Sequence, residues 1–230
     1  MDSDTATLIG LLLSDGSVYF DKSKRTFCVQ LTSKSESLRE CFKTLMKSCF
    51  GAKSFYEPDC KNGVSVRVFS KRIASRLFEM SPTFRKLPCN SKPRCNIHSC
   101  IKCSPVSDKN GVEWPPCIIP EDILRNTSLA SAFVRGYASG DGSVYWNERH
   151  AVRQIEIACF HPTLKRQIAS CIALLGIRCR TLDKGVVISS KSELLKFSSM
   201  VGFLPESTVC DSRSRWLGAP KNSVLRLALH

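Results

Sequence analysis

Asp15 opens the run "DGSVY" at 15–19, and Asp141 opens the same five residues at 141–145. Each acid follows a stretch that reads as a helix. "TATLIGLLLSDG" (5–16) is apolar on most sides, and "NTSLASAFVRGYASGDG" (126–142) begins with Asn126, Thr127 and Ser128, good N-cap residues. Both stretches end on a glycine, a common helix stop. The two acids therefore lie at helix carboxyl ends, where a carboxylate is electrostatically unfavourable. Either one alone reads as a turn residue. Small residues four apart in both helices, Gly10 with Ser14 and Gly136 with Gly140, make flat stripes along which two helix backbones approach closely. Packing on those stripes brings Asp15 and Asp141 to the same end. Two carboxylates so placed repel each other and want a divalent cation between them. Their convergence is a reason to look for metal chemistry at that end. No Ser-His-Asp, Walker or zinc-protease pattern competes.

The elements that position these acids occur twice. After the first helix come "SVYFD" and "RTFCVQLT", two alternating runs that read as a hairpin, with "SVYWN" and "VRQIEIAC" as counterparts. Helices follow at 35–51 and 161–176, each ending in glycine. A second hairpin comes next in each half: "KSFYE" with "GVSVRVFS", and "IRCRTL" with "GVVISS". Each half closes on a helix opened by Ser-Lys. The order per half is helix, two strands, helix, two strands, helix, so the chain reads as an internal duplication.

Charge narrows the partner. The 34 Lys and Arg outnumber the 20 Asp and Glu, for a net +14, and every segment of the chain is net basic. Such a field attracts a polyanion. In the strands, Phe27, Val29 and Leu31 alternate with Thr26, Cys28 and Gln30; Val64, Val66 and Val68 alternate with Ser65 and Arg67; Ile155 and Ile157 alternate with Gln154 and Glu156. One face of each sheet is core and the other polar. Lys24, Gln30, Arg67, Gln154, Arg178 and Arg180 line the polar faces, as a solvated surface or as a ribbon fitting the DNA major groove, where Gln and Arg read base edges. No run reaches the ~18 apolar residues of a membrane span. "LIGLLL" follows Asp2 and Asp4, the wrong sign for a signal peptide. The expectation is a soluble intracellular protein, cytoplasmic or nucleoid-associated, without a membrane partner.

"LIGLLLSDG" (8–16) and "VRGYASGDG" (134–142) resemble the paired signatures of the LAGLIDADG homing endonucleases, in the single-chain, two-motif, intron-encoded form. The resemblance covers about residues 5–81 and 121–205. It implies an α+β fold: two pseudo-symmetric αββαββα repeats packed through the motif helices, each with an antiparallel saddle sheet that binds DNA. It implies a monomer that makes a staggered double-strand break in a long asymmetric DNA target by Mg²⁺-dependent phosphodiester hydrolysis. Two or three Mg²⁺ ions would sit at the repeat interface, held by Asp15 and Asp141. The family's sixth motif position, often acidic, is Leu13 and Ser139 here. Ser33 and Cys159, with Gln30 nearby, fall where the family orients water. The family's lysine after the third helix matches Lys86 in "TFRKLP" as a third catalytic residue, while the second half offers Arg213 and Arg215 in "CDSRSRW". The alternative is a non-cleaving nucleic-acid binder on the same scaffold, an RNA maturase or a transcription regulator.

The expected organisation is a first repeat at 1–81, a basic Cys-rich linker at 82–120, a second repeat at 121–205 and a C-terminal tail at 206–230. The chain has 13 cysteines, most in apolar stretches where they read as small core side chains. In the linker, Cys89, Cys95, Cys100 and Cys103 stand at C-x5-C-x4-C-x2-C with His98 among them. Structural Zn²⁺, disulfides and unpaired thiols all remain open there.

Overall fold

A computed structural model describes residues 1–21, 24–61, 63–89, 105–108, 110–150, 152–205 and 207–230. The first repeat comprises α1 (Ser3–Ser14), β1 (Gly16–Asp21), β2 (Thr26–Ser33), α2 (Glu36–Phe50), β3 (Asp59–Cys60), β4 (Gly63–Phe69) and α3 (Lys71–Met80). A connecting segment adds β5 (Val106–Ser107), β6 (Glu113–Trp114) and the short α4 (Glu121–Arg125). The second repeat follows as α5 (Thr127–Asp141), β7 (Gly142–Asn147), β8 (Val152–Ala158), α6 (Pro162–Leu174), β9 (Arg180–Leu182), β10 (Gly185–Ser189) and α7 (Lys191–Met200). The chain ends in α8 (Lys221–Leu229). Among the described residues no helix is long and apolar enough to cross a membrane.

The expected αββαββα order occurs in both halves. Each repeat forms a four-stranded antiparallel sheet, in the orders β1-β2-β4-β3 and β7-β8-β10-β9. Their registers correspond position for position: Gly16 faces Leu31 and Tyr19 faces Cys28, while Gly142 faces Ile157 and Tyr145 faces Gln154. Val29, Leu31, Val66, Val68, Ile155, Ile157, Val186 and Ile188 are buried, so the helices cover the face that alternation predicts. The other face of the first sheet carries a cross-strand row of Ser17, Gln30, Arg67 and Tyr56. The corresponding row of the second is Ser143, Glu156, Val187 and Arg180.

α1 is the centre of the molecule. Thr5 to Ser14 are all buried, and its largest helix contact is with α5. The small-residue stripes mesh as the sequence predicts. A Cβ on Gly10 would lie 2.7 Å from the Tyr137 nitrogen, and one on Gly136 would be driven into the Thr7 carbonyl. Caps fix where each helix begins: Asp2 Oδ1 accepts from Thr5 N at 2.7 Å, and Asn126 Oδ1 accepts from Leu129 N at 3.1 Å.

Two local expectations change. Gly16 and Gly142 follow the motif helices but have ordinary negative φ, unlike Gly51 and Gly176, which take φ 65° and 68° after α2 and α6. At the motif-helix ends the constraint is space. A Cβ on Gly16 would lie 2.6 Å from Leu12 Cα, and one on Gly142 would lie 2.9 Å from Ala138 Cα. The predicted strand at 53–57 is reduced to one bridge, Tyr56 to Arg67, before β3. Pro58 lacks an N–H, so only its carbonyl joins the ladder, accepting from Ser65 N at 3.0 Å.

The connecting segment has more core than its composition promises. Trp114, Cys117 and Ile119 are buried. Ser81 Oγ donates to Ile118 O at 2.8 Å, and Ile119 N donates to Gln167 Oε1 at 2.8 Å, so the segment ties the end of α3 to α6. His161 is fully buried and caps α6. Its Nδ1 accepts from Leu164 N at 3.2 Å, which places the proton on Nε2 facing Pro115 O at 2.6 Å. Trp114 packs edge-on against this imidazole at 5.4 Å. Cys159 and Cys171 are buried as expected; Cys28, which alternation puts on the polar face, and Cys117 of the linker are buried as well, whereas Cys60 and Cys210 are exposed. Of the linker cysteines, Cys89 donates its backbone N–H to Glu113 O at 2.8 Å. Cys95, Cys100 and Cys103 lie outside the described residues, and the zinc-or-disulfide expectation lies there with them.

Two predictions follow from this packing. Gly136→Ala must part α1 from α5 and should cost at least the roughly 1–3 kcal/mol of core overpacking; an unchanged urea midpoint would show that the stripe does not set the approach. Burial lowers the His161 pKa. Its neutral form is thus favoured in the folded state, and that stability is present above about pH 6.5 and is lost as pH falls through the folded-state value. Asn retains an N-cap acceptor without titrating. Stability at pH 5.5 relative to 7.5 should therefore fall more in the wild type than in His161→Asn, and parallel pH profiles would refute the role.

Candidate functional site

The meeting of α1 and α5 brings Asp15 and Asp141 to one end of the helix pair, where both line a groove of about 1300 Å³. Asp15 is the C-cap residue of α1; its N–H donates to Leu11 O at 3.1 Å. Asp141 is the last residue of α5. A Cβ on Gly140 would come within 3.1 Å of Asp15 Oδ2, so the second helix's small residue gives the first acid its room. Burial, with the Asp141 charge adding to it, pushes the Asp15 carboxyl up to about 6, against the opposing pull of Lys86 and Lys221.

Lys86 reaches the site from the segment after α3 and forms an ion pair with Asp141 Oδ2, its ammonium 5.6 Å from the centre of the Tyr137 ring. A lysine from the first half thus engages the acid of the second. The three residues expected to work together, Asp15, Asp141 and Lys86, are brought together.

A fourth charged group escaped sequence reasoning. Lys221, at the start of α8, is buried, and its Nζ donates to the carbonyls of Ser139 at 2.8 Å and Gly142 at 2.6 Å, with Gly140 O at 3.3 Å. It neutralises the negative end of α5 from within. Burial lowers its pKa to about 8, with Asp15, Cys210 and Asp141 pulling the other way. The expected second-half residues, Arg213 and Arg215, line the same groove but are engaged by other partners. Arg213 pairs with Asp211, and Arg215 donates to Trp146 O at 3.1 Å. The only available sequence signal was a Lys following Pro220 at the start of a helical run, far from α7.

Ser33 and Cys159, at the family's water-orienting position, are both buried. Ser33 Oγ accepts from Ser35 N at 3.1 Å, and Cys159 Sγ faces His161 O at 3.7 Å. Gln30 and Arg67 are direct cross-strand partners on the polar face, and Tyr19 donates to Gln30 at 3.3 Å. Tyr56 and Phe69 stand exposed on the same side, their rings 6.5 Å apart. On the second sheet Gln154 donates to Glu156 at 2.6 Å, while Arg178 Nε bonds the buried Glu193 at 3.2 Å. Lys24 is exposed at the β1–β2 turn.

The donor set suits a hard cation. Two carboxylates meet, one of them short of countercharge, and among the described residues no three His, Cys, Asp or Glu side chains form a metal cluster. Mg²⁺ tolerates so small a protein contribution because it keeps waters and shares phosphate oxygens. Zn²⁺, which wants about four nitrogen or sulfur ligands, does not fit this groove.

Comparisons with known proteins agree with the architecture. The LAGLIDADG-like domain model matches residues 2–81 and 128–202. No curated protein matches the chain in sequence. The crystal structure of I-DmoI in complex with DNA and Mn is 17% identical, with a TM-score of 0.54 over 87% of this chain and 96% of that one. I-DmoI in complex with DNA and Ca is also 17% identical, with a TM-score of 0.55 over 89% and 95%. Full-length DUF199/WhiA from Thermatoga maritima is 13% identical, with a TM-score of 0.52 over 89% of this chain and 57% of that one. At such identities the likeness is one of fold. With both repeats matched by the family model, the chain belongs to the LAGLIDADG-like domain family.

Proposed function

We propose that this protein is a site-specific DNA endonuclease of the homing type, cutting both strands of a long asymmetric target in a Mg²⁺-dependent hydrolysis. The observation that carries the reading is the convergence of Asp15 and Asp141, one from each repeat, in a single groove beside two lysines. Bound there, Mg²⁺ would supply Lewis-acid activation of water and neutralise charge at the phosphate. Asp15 and Asp141 would hold the ions, one acid for each strand. Lys86, released from Asp141, offers an ammonium to a scissile phosphate. Lys221 holds the last carbonyls of α5 and so sets where Asp141 points. The I-DmoI structures, determined with DNA and with Mn or Ca, support a divalent ion in this fold.

The polar sheet faces would take the flanking major grooves. Gln30 and Arg67 suit adenine and guanine edges, while Glu156 in the matching place accepts from cytosine. Two unlike readers on one backbone plan favour a non-palindromic site bound by a monomer.

The second reading is a non-cleaving nucleic-acid binder. The ion pair between Lys86 and Asp141 favours it to the extent that the acid has a purely structural partner. One experiment separates the two: supercoiled plasmid carrying a site selected by the protein from a randomised library, incubated with Mg²⁺. The nuclease linearises it; the binder only retards it.

Asp15→Asn and Asp141→Asn should each abolish linearisation while leaving plasmid binding largely intact. Linearisation at the wild-type rate by either variant refutes the assignment. The lysines should separate by a second readout. Lys86→Ala lowers the cleavage rate with a smaller change in stability, since its ammonium pairs with one carboxylate at the groove and remains partly exposed. Lys221→Met strips a cation from several buried carbonyls and should cost about 1.5–3 kcal/mol in urea unfolding as well as activity. Equal stability losses in the two variants would contradict this division.

A further inference from the structure

The C-terminal segment builds one wall of the groove, and it lies beyond residue 202, where the family match ends. Residues 207–221 close on themselves. Val209 N donates to Ala219 O, Gly218 N to Val209 O, both at 2.9 Å, and Lys221 N to Ser207 O at 2.7 Å. The closed base holds out a tip at 210–217, in which Asp211, Arg213, Arg215 and Leu217 are exposed. The tip is anchored on the second repeat. Arg215 donates to Trp146 O and stacks over Trp216 at 4.6 Å, and Trp216 packs against the core. α8 then docks on α7 and β7, with Arg153 donating to Ala228 O at 3.0 Å. On the first-repeat side, the groove wall consists of Thr32, Ser33, Lys34 and Leu38, without an arginine among the described lining residues.

We propose that the 210–217 tip is a clamp for the phosphodiester backbone of duplex DNA, acting on one end of the bound target. The proposal rests on the DNA-binding reading above and adds a surface to it. Arg213 is the principal contact. Its side chain is 89% exposed and its partner is the half-exposed Asp211, an arrangement that solvent screens and a phosphate can displace. Arg215 lies two residues on, held rigid by the Trp216 stack, and presents a second guanidinium to the same strand. Because the tip has its footing on β7, its contacts fall beside the duplex read by the second sheet. The clamp is blind to sequence: it adds affinity and orientation rather than base choice.

The test is binding of the full chain, without divalent metal, to the selected duplex across a salt series, together with hydroxyl-radical footprinting. Arg213→Ala should weaken binding to target and to random duplex alike. It should reduce the slope of log K against log salt by about 0.9, one phosphate contact. Protection should be lost at one end of the footprint only. Asp211→Asn should act in the opposite sense and tighten binding, which a merely destabilising change would not do. An unchanged slope and footprint in Arg213→Ala, with the wild type binding normally, overturns the clamp and leaves the DNA reading standing. Failure of the wild type to bind duplex of any sequence overturns both.

Discussion

Everything in this molecule depends on two helix backbones being allowed to touch. With Gly10 against Tyr137 and Gly136 against Thr7, α1 and α5 approach closer than side chains of ordinary size permit. Close approach brings their ends together, and only then do two acids distant in sequence share a groove. The burial of α1 from Thr5 to Ser14 follows from the same contact, because a helix at the axis of a duplicated fold is covered on every side. Both sheets hang from these helices through Gly16 and Gly142, which must lack side chains for β1 and β7 to leave at once. The spacing of the sheets is set at the axis and not in the sheets themselves.

That contact creates an electrostatic debt, since two negative helix ends and two carboxylates converge. The protein offsets it unequally. Lys221 serves the carbonyls of α5 from below and Lys86 serves the Asp141 carboxylate from the side, while Asp15 is left with a raised pKa and more distant cations. The pseudo-symmetry of the backbone is therefore not a symmetry of charge.

The acids, the element order and the core face of each strand were legible in the sequence because they depend on local rules: a five-residue repeat, period-two alternation, and caps such as Asn126. Lys86 was legible only through family resemblance. Lys221 was not legible, because its role depends on where α8 docks, and nothing local in "APKNS" announces that its lysine lies beneath α5. Arg213 and Arg215 look more suitable by proximity to the second repeat's end, and they do line the groove, but their partners are Asp211 and Trp146 O and not the last carbonyls of α5. The burial within the connecting segment was not legible for a related reason. Trp114, Cys117 and Ile119 are few and scattered among prolines, and their burial comes from neighbours supplied by both repeats. The sequence marks the glycines after the motif helices as helix stops, but it does not distinguish a backbone that needs positive φ from one that needs room.

The position-for-position register shared by β1–β2 and β7–β8 has a consequence for how such a protein can change. A duplicated gene that keeps its ladder intact keeps one coordinate system for two independent inscriptions. Gln30 and Glu156 occupy the same coordinate, as do Arg67 and Val187, and each pair has already diverged completely in chemistry. Mutation can rewrite one inscription without disturbing the other, because the strands differ in what they display and not in how they are laid. Lineages carrying this chain can drift toward new partners one half at a time, and the axis would pass through the change unaltered.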